Sequence, residues 1–128
     1  MSEIKIRRLL VLREFLKAKI HRATITRANL DYSGSLTIDE EIMELAGIKE
    51  YEKIQVYNVN NGERLETYAI KGPKGSKVFE LNGAAARKGM VGDKIIITTF
   101  CLLDEKEMAN HKPILVIMGD DNEVKEVI

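Results

Sequence analysis

Apolar and polar residues alternate along several short stretches, and the alternation predicts strands. Lys17-Ala18-Lys19-Ile20-His21-Arg22-Ala23-Thr24-Ile25-Thr26 places Ala18, Ile20 and Arg22 on one face, with Lys19, His21, Ala23 and Ile25 on the other. Upstream, Ile4, Leu9, Leu12, Phe15 and Leu16 fit a helical stripe as well as a strand, so residues 4 to 20 stay ambiguous. Ile54 to Val59 alternates, Asn60-Asn61-Gly62 turns, and Arg64 to Ile70 returns as a hairpin. Lys77 to Leu81, Lys94 to Phe100 and Ile114 to Met118 complete the strands, Lys94 to Phe100 reading as continuously buried. Helical spacing is clear only after Ser35, where Ile38, Ile42, Leu45 and Ala46 form a stripe. There Thr37 with Glu40 fits a capping box, and Gly47 is the stop signal. One helical turn each is expected after Asn82-Gly83 and from Asp104 to Asn110, with a Gly72-Pro73-Lys74-Gly75 turn between strands and a charged tail from Gly119. Many short strands with few short helices predict a mainly β protein built as a small closed barrel.

Composition narrows the function classes. The chain has 128 residues, the size of a single domain. Twenty basic and twenty acidic residues cancel, which removes the general field that draws a protein to nucleic acid or an anionic membrane. Without tryptophan and with few aromatics there is little to stack single-stranded bases upon. No stretch approaches the ~18 consecutive apolar residues of a membrane span, and the run Leu9 to Leu12 after the charged start is too short for a signal-peptide core, so no signal peptide is expected. The lone Cys101 excludes an intrachain disulfide and, lying in an apolar run, reads as core; a reducing, cytoplasmic setting is expected. The two histidines are far apart in sequence and the carboxylates lack ligand spacing, so no metal is expected.

Chemistry concentrates at Asp31-Tyr32-Ser33-Gly34-Ser35. Gly34 has no Cβ, so it is expected to take a backbone conformation closed to other residues and to leave its carbonyl open. The Ser35 hydroxyl can attack that carbonyl and shift the acyl group from nitrogen to oxygen. Loss of the ester by β-elimination would leave a dehydroalanine at 35, which hydrolyses to a pyruvoyl ketone. Taken alone, a Gly-Ser pair is an ordinary tight turn. The remaining stretches add to it.

Lys19-Ile20-His21-Arg22, then Tyr32-Ser33-Gly34-Ser35, then Asn58-Val59 with Asn61-Gly62-Glu63-Arg64 and Thr67-Tyr68-Ala69-Ile70, then Asn82-Gly83-Ala84-Ala85-Ala86, occur in one order and spacing. Together they resemble the pyruvoyl-dependent aspartate 1-decarboxylases of bacteria, from about Arg13 to Glu123. Residues 1 to 12 look like an N-terminal extension. The resemblance implies a double-psi β-barrel and a homotetramer with active sites between subunits. It also implies conversion of L-aspartate to β-alanine for pantothenate synthesis, and self-cleavage into residues 1–34 and 35–128. By that resemblance Ser35 becomes the pyruvoyl group and Tyr68 is the proton donor. Arg64 and Lys19 contact substrate carboxylates, and Thr67, Gly83, Ala84 and Ala85 serve substrate binding and maturation. His21, Tyr32, Asn82 and Tyr57 are supporting residues, Tyr57 standing where relatives often carry tryptophan. No metal or pyridoxal phosphate is called for, and a maturation factor is left open.

The chemistry is coherent on its own terms. Aspartate's amine would form a Schiff base with the ketone, which then accepts the electron pair as CO2 leaves, and a phenol can protonate the former α-carbon. A guanidinium binds carboxylate through two parallel hydrogen bonds, which suits Arg64. Arg64, Glu66 and Tyr68 share a strand face, with Arg64 and Tyr68 expected about 7 Å apart and Thr67 pointing the other way. On local grounds alone His21 is an ordinary strand histidine, Arg64 a solvated hairpin residue and Asn82-Gly83 a turn. A rival of another class exists: Leu36 to Glu50 followed by a strand from Ile54 looks like the core of small swapped-hairpin DNA-binding regulators. Those require a cationic surface, which the zero net charge opposes.

Overall fold

A computed structural model describes residues 11–128 of the chain. The ambiguous positions Ile4 and Leu9, and all but the last two residues of the expected extension, lie outside the described residues. Among the described residues nine strands form one mixed sheet in the order β2-β6-β3-β5-β4-β7-β1-β8-β9. They are β1 (Arg13–Thr24), β2 (Arg27–Asn29), β3 (Ser35–Asp39), β4 (Lys53–Asn58), β5 (Arg64–Gly72), β6 (Phe79–Asn82), β7 (Lys94–Leu103), β8 (Ile114–Met118) and β9 (Val124–Val127). Among the described residues two short helices, α1 (Glu40–Ala46) and α2 (Glu105–Met108), and 3-10 turns at Gly83–Lys88 and Asp120–Asn122 connect them. The mainly β architecture is the one the alternation predicts.

The core forms where inward positions of the strands meet: Ala18, Ile20, Ile38, Ile54, Val56, Phe79, Leu81, Ile95 and Ile97 are all buried. On β1 the expected faces hold only as far as Ile20. A register shift between Ile20 and Ala23, with Arg22 at φ 64°, inserts one extra residue against β7. Such a bulge moves every later side chain to the other face. Ala23 and Ile25 therefore join Ala18 and Ile20 in the core, while Arg22 does not.

Residues 35 to 39 correct the sequence reading. They form a strand, β3, in which all five residues are buried, held in parallel to β5 (Leu36↔Ala69) and antiparallel to β6 (Ser35↔Asn82). Thr37 is no helix cap. Asp39 caps α1, its carboxylate accepting from Glu41 N, and Gly47 closes the helix in the left-handed conformation. The buried stripe is Ile42, Met43 and Ala46, with Leu45 exposed. β3 is sandwiched between two strands, and that pairing outweighs the local helix signal.

Smaller differences follow the same rule. β7 is continuously buried only from Ile97 to Thr99, with Phe100 and Leu102 exposed, and Cys101 is half-buried. Part of the tail pairs with β8 as the strand β9. The hairpin of β4 and β5 is as expected, with Gly62 at φ 76° in its turn.

Asp39 ties three segments together. Its Oδ1 accepts from Glu41 N and Gly75 N, both at 2.9 Å, and its Oδ2 from Lys77 N at 2.8 Å, in a side chain that is fully buried. Replacing it leaves three backbone donors without partners. Asp39→Ala is expected to cost about 3 kcal/mol or more of folding stability, and Asp39→Asn less, since one acceptor survives. Chemical denaturation checks this; a loss below about 1 kcal/mol for the alanine variant would contradict it.

Candidate active site

Ser35 is the first residue of β3, and its side chain is 2% exposed. Buried hydroxyls need partners. The Nδ2 of Asn82, directly across on β6, donates to Ser35 Oγ at 2.9 Å and to Thr37 Oγ1 at 3.0 Å. Both amide hydrogens of Asn82 are thus spent on hydroxyls of one strand.

Gly83 follows Asn82 at φ 65°, opening the 3-10 turn Gly83–Lys88. A Cβ there would lie 2.8 Å from both Gly34 Cα and Gly34 N and 2.9 Å from Tyr32 O. Those are backbone atoms that cannot swing aside. The glycine required by close approach is therefore Gly83. Gly34 does not lie in the left-handed region, and a Cβ on it would meet only Asn82 O at 4.0 Å, so the expected glycine-only conformation at Gly34 is not found. Its backbone is instead pressed against Gly83.

A cavity of about 390 Å³ opens beside this junction, lined by Gly34, Leu65, Glu66, Thr67, Tyr68, Ala84, Ala85 and Lys88. Thr67 and Tyr68 alternate across the strand, yet both border it. The reason lies in the pairing: β4 covers one edge of β5 from Arg64 to Tyr68, whereas β3 pairs with the other edge only from Ala69 onward. Residues 65 to 68 present a bare strand edge to the cavity, and side chains of either face can border an edge. Lys88, not singled out from sequence, lies at the wall and binds Glu63 at 2.7 Å.

A second cluster lies on the outward face of the sheet. Lys19 on β1 stands opposite Thr98 on β7, whose hydroxyl donates to the Tyr57 phenol oxygen at 3.0 Å. The Arg64 guanidinium stacks 4.1 Å from the centroid of the Tyr57 ring. Such a cation–π contact is worth about 0.5–1 kcal/mol at an exposed site. Tyr57 is thus a support for Arg64, and Thr98, which the alternation did not single out, holds its far end. His21 lies two residues from Lys19; partial burial, then the Lys19 and Arg22 charges, lower its pKa below the usual histidine value. Its buried Nδ1 has no hydrogen-bond partner among the described residues.

The two clusters do not meet through Arg64 and Tyr68. Four steps along an extended strand separate their Cα atoms by about 13 Å, and the expected 7 Å is the spacing of neighbours two apart. Within one chain the structure brings together Gly34, Thr67, Tyr68, Ala84 and Ala85 at the cavity, with Ser35, Asn82 and Gly83 packed against Gly34. Lys19, Tyr57 and Arg64 form a separate row. Among the described residues no cluster of three or more His, Cys, Asp or Glu side chains stands ready for a metal, and no helix is long and apolar enough to cross a membrane.

Gly83 and Gly62 offer a controlled comparison. Both have positive φ, but nothing lies within 4 Å of a Cβ at Gly62. Gly62→Ala is expected to cost only the backbone term of about 1–2 kcal/mol. Gly83→Ala adds a clash with the Gly34 backbone and is expected to lower the melting temperature clearly further; equal losses in thermal unfolding would overturn the close approach.

Comparison with known proteins bears on this arrangement. Residues 11–125 match the family model described as aspartate decarboxylase. The aspartate 1-decarboxylase of Caldicellulosiruptor bescii is 63% identical over 111 residues, 87% of this chain and 87% of the relative. That of Ralstonia nicotianae is 56% identical over 115 residues, 90% and 96% of the two chains, and that of Desulfotalea psychrophila 54% over 118 residues, 92% and 99%. The match runs through the Leu36 to Glu50 segment that invited comparison with DNA-binding regulators. A buried serine at a glycine junction, a cavity with a tyrosine at its edge, and a family match over nearly all the described residues agree: the chain belongs to the aspartate decarboxylase family of carboxy-lyases.

Proposed function

We propose that the chain cuts itself between Gly34 and Ser35, and that residue 35 then serves as a pyruvoyl group in the decarboxylation of L-aspartate to β-alanine. The observation that carries this reading is Ser35 itself, a buried hydroxyl held by Asn82, next to a glycine whose backbone lines a cavity with Thr67 and Tyr68.

Ser35 Oγ attacks the Gly34 carbonyl carbon, and its proton passes to the Ser35 amide nitrogen as the C–N bond breaks. An ester and a free amine result. Removal of the Ser35 α-proton expels the Gly34 carboxylate, which keeps the former Oγ, and leaves dehydroalanine at 35. Water then releases ammonia and leaves the ketone. The products are residues 1–34 and 35–128 of what we infer is one domain, with no requirement for a metal or pyridoxal phosphate.

The residues present fit such a group. Asn82 offers an N–H to an oxygen at residue 35, and the small side chains of Ala84 and Ala85 with the bare β5 edge leave room for a small ligand beside it. Such a group would supply an electrophilic carbonyl for the substrate's amine and a sink for the electron pair released with CO2. Tyr68, 39% exposed at the cavity, is positioned to protonate the former α-carbon. Thr67 and Gly83 shape the junction. Arg64 holds a carboxylate by its fork of donors, with Lys19 on the same outward face as a second cation.

The Cα atoms of Arg64 and Tyr68 lie about 13 Å apart along β5, and the Lys19, Tyr57 and Arg64 row is separate from the cavity; on this reading a neighbouring copy completes the site. This agrees with a homotetramer whose active sites lie between subunits. The three parallel pairs, β1 with β8, β2 with β6 and β3 with β5, among antiparallel ones support the crossed connections of a double-psi barrel. We assign the β-alanine product to pantothenate synthesis in the cytoplasm.

Intact mass after purification, joined to an assay of CO2 release from L-aspartate, tests the reading. Matured protein is expected to give two fragments split after Gly34. Ser35→Ala is expected to stay whole and inactive; a split Ser35→Ala chain would refute self-cleavage. Tyr68→Phe is expected to split normally but lose at least about a hundredfold in turnover, the usual range for removing a proton donor. Retention of full turnover would exclude Tyr68 as that donor. Co-expressed Arg64→Ala and Ser35→Ala chains, each inactive alone, are expected to recover up to about a quarter of full activity in mixed oligomers. No recovery would place the whole site within one chain.

A further inference from the structure

Thr37 is a buried strand residue that the reaction as written does not use. Its Oγ1 lies 3.0 Å from the same Asn82 nitrogen that reaches Ser35 Oγ. We propose that Thr37 is a positioning residue for self-cleavage, holding the Asn82 carboxamide so that an N–H points at the attacking oxygen of Ser35. The inference rests on the self-cleavage reading and extends it.

Asn82 has two chemically different ends, and which end faces Ser35 matters to the chemistry. With its carbonyl toward Ser35, Asn82 would accept the serine proton and occupy it. With its N–H toward Ser35, it binds an Oγ lone pair and leaves the proton free to pass to the amide nitrogen, while stabilising the charge that grows on Oγ as the proton departs. Two acceptors on the same nitrogen favour the second arrangement. Ser35 and Thr37 are two residues apart on β3, so both hydroxyls point to the same face, with Asn82 across from Ser35. Each takes one of the two amide hydrogens.

The Thr37 hydroxyl must then send its own proton elsewhere. It can do so because Thr37 and Asn82 also border a cavity of about 200 Å³ on whose wall lie Glu80 and Tyr32. A hydroxyl whose proton is directed into that cavity offers a lone pair to Asn82. The backbone supports the geometry from both sides. Thr37 pairs with Glu80 on β6 and Ile70 on β5, so neither Thr37 nor Asn82 can drift without breaking the ladder. In this arrangement Thr37 never touches the reacting bond. It acts through Asn82.

The test is the rate of self-cleavage followed by intact mass in Thr37→Val, Thr37→Ser and the parent chain. Valine keeps the β-branched shape and removes the oxygen, whereas serine keeps the oxygen and removes a methyl. Thr37→Val is expected to slow cleavage about fivefold, the factor that one ordinary hydrogen bond is worth, and Thr37→Ser to cleave near the parental rate. A second readout separates positioning from packing. Hydroxylamine attacks the ester carbonyl of Gly34, giving a Gly34 hydroxamate on residues 1–34 and a free serine amine on 35–128. The hydroxylamine-released fraction, which reports how much ester has formed, is expected to fall in Thr37→Val and recover in Thr37→Ser. If Thr37→Val is insoluble, Thr37→Ala is read in the same way against Thr37→Ser. Parental cleavage in the variant lacking the hydroxyl overturns the proposal, as does a Thr37→Ser rate as low as that of Thr37→Val. These failures leave the self-cleavage reading intact, whereas an uncleaved parent chain or a cleaved Ser35→Ala chain overturns the reading itself.

Discussion

The hydrogen bonds from one carboxamide, Asn82, to the hydroxyls of Ser35 and Thr37 hold the functional end of this fold in place. They exist because β3 is wedged between β5 and β6, which buries two hydroxyls that must find partners. The same wedge brings Gly83 onto the backbone of Gly34, at a distance that no side chain at 83 would permit. Local chemistry and sheet topology are therefore one constraint. Moving β3 by one residue would turn Ser35 and Thr37 into the core and Leu36 and Ile38 out of it.

Sheet pairing also explains how the candidate site is divided. Arg64 and Tyr68 belong to one strand, whose extended backbone sets their Cα atoms about 13 Å apart. The Lys19, Thr98, Tyr57 and Arg64 row crosses four strands and is held by a phenol that accepts a hydrogen bond at one end and carries a guanidinium on its ring. The cavity by Gly34 is bounded by a strand edge and a 3-10 turn. Each half is held by contacts within the chain.

Much of this was legible in the sequence where a pattern is local. The β4 and β5 hairpin, its Gly62 turn, and the turns around Asn82 and Asp104 follow from alternation and turn chemistry. Segments decided by distant partners were not legible. Thr37 to Glu40 carries a good capping signal, but two neighbouring strands claim residues 35 to 39, and Asp39 becomes the cap instead. The bulge at Arg22 leaves no periodic trace, so Ala23 and Ile25 seemed to face outward. Among site residues, the ordered motifs pointed to Ser35, Tyr68 and Asn82 as a group. Arg64 resting on Tyr57 follows from the register of that same hairpin, but the motifs could not show that Thr37 shares the Asn82 amide, a contact between strands 45 residues apart in sequence.

The boundary between residues 34 and 35 coincides with the point where coil becomes sheet. Residue 35 is laced to β6 from its first atom, whereas residues 30 to 34 belong to a largely exposed loop. A cut there would not let the two pieces drift apart, because β1 remains zipped to β7 and β8, and β2 to β6. The upstream stump alone would gain freedom to swing away. Healing of the break would then be opposed by simple geometry, and a one-way molecular scission would leave the architecture standing.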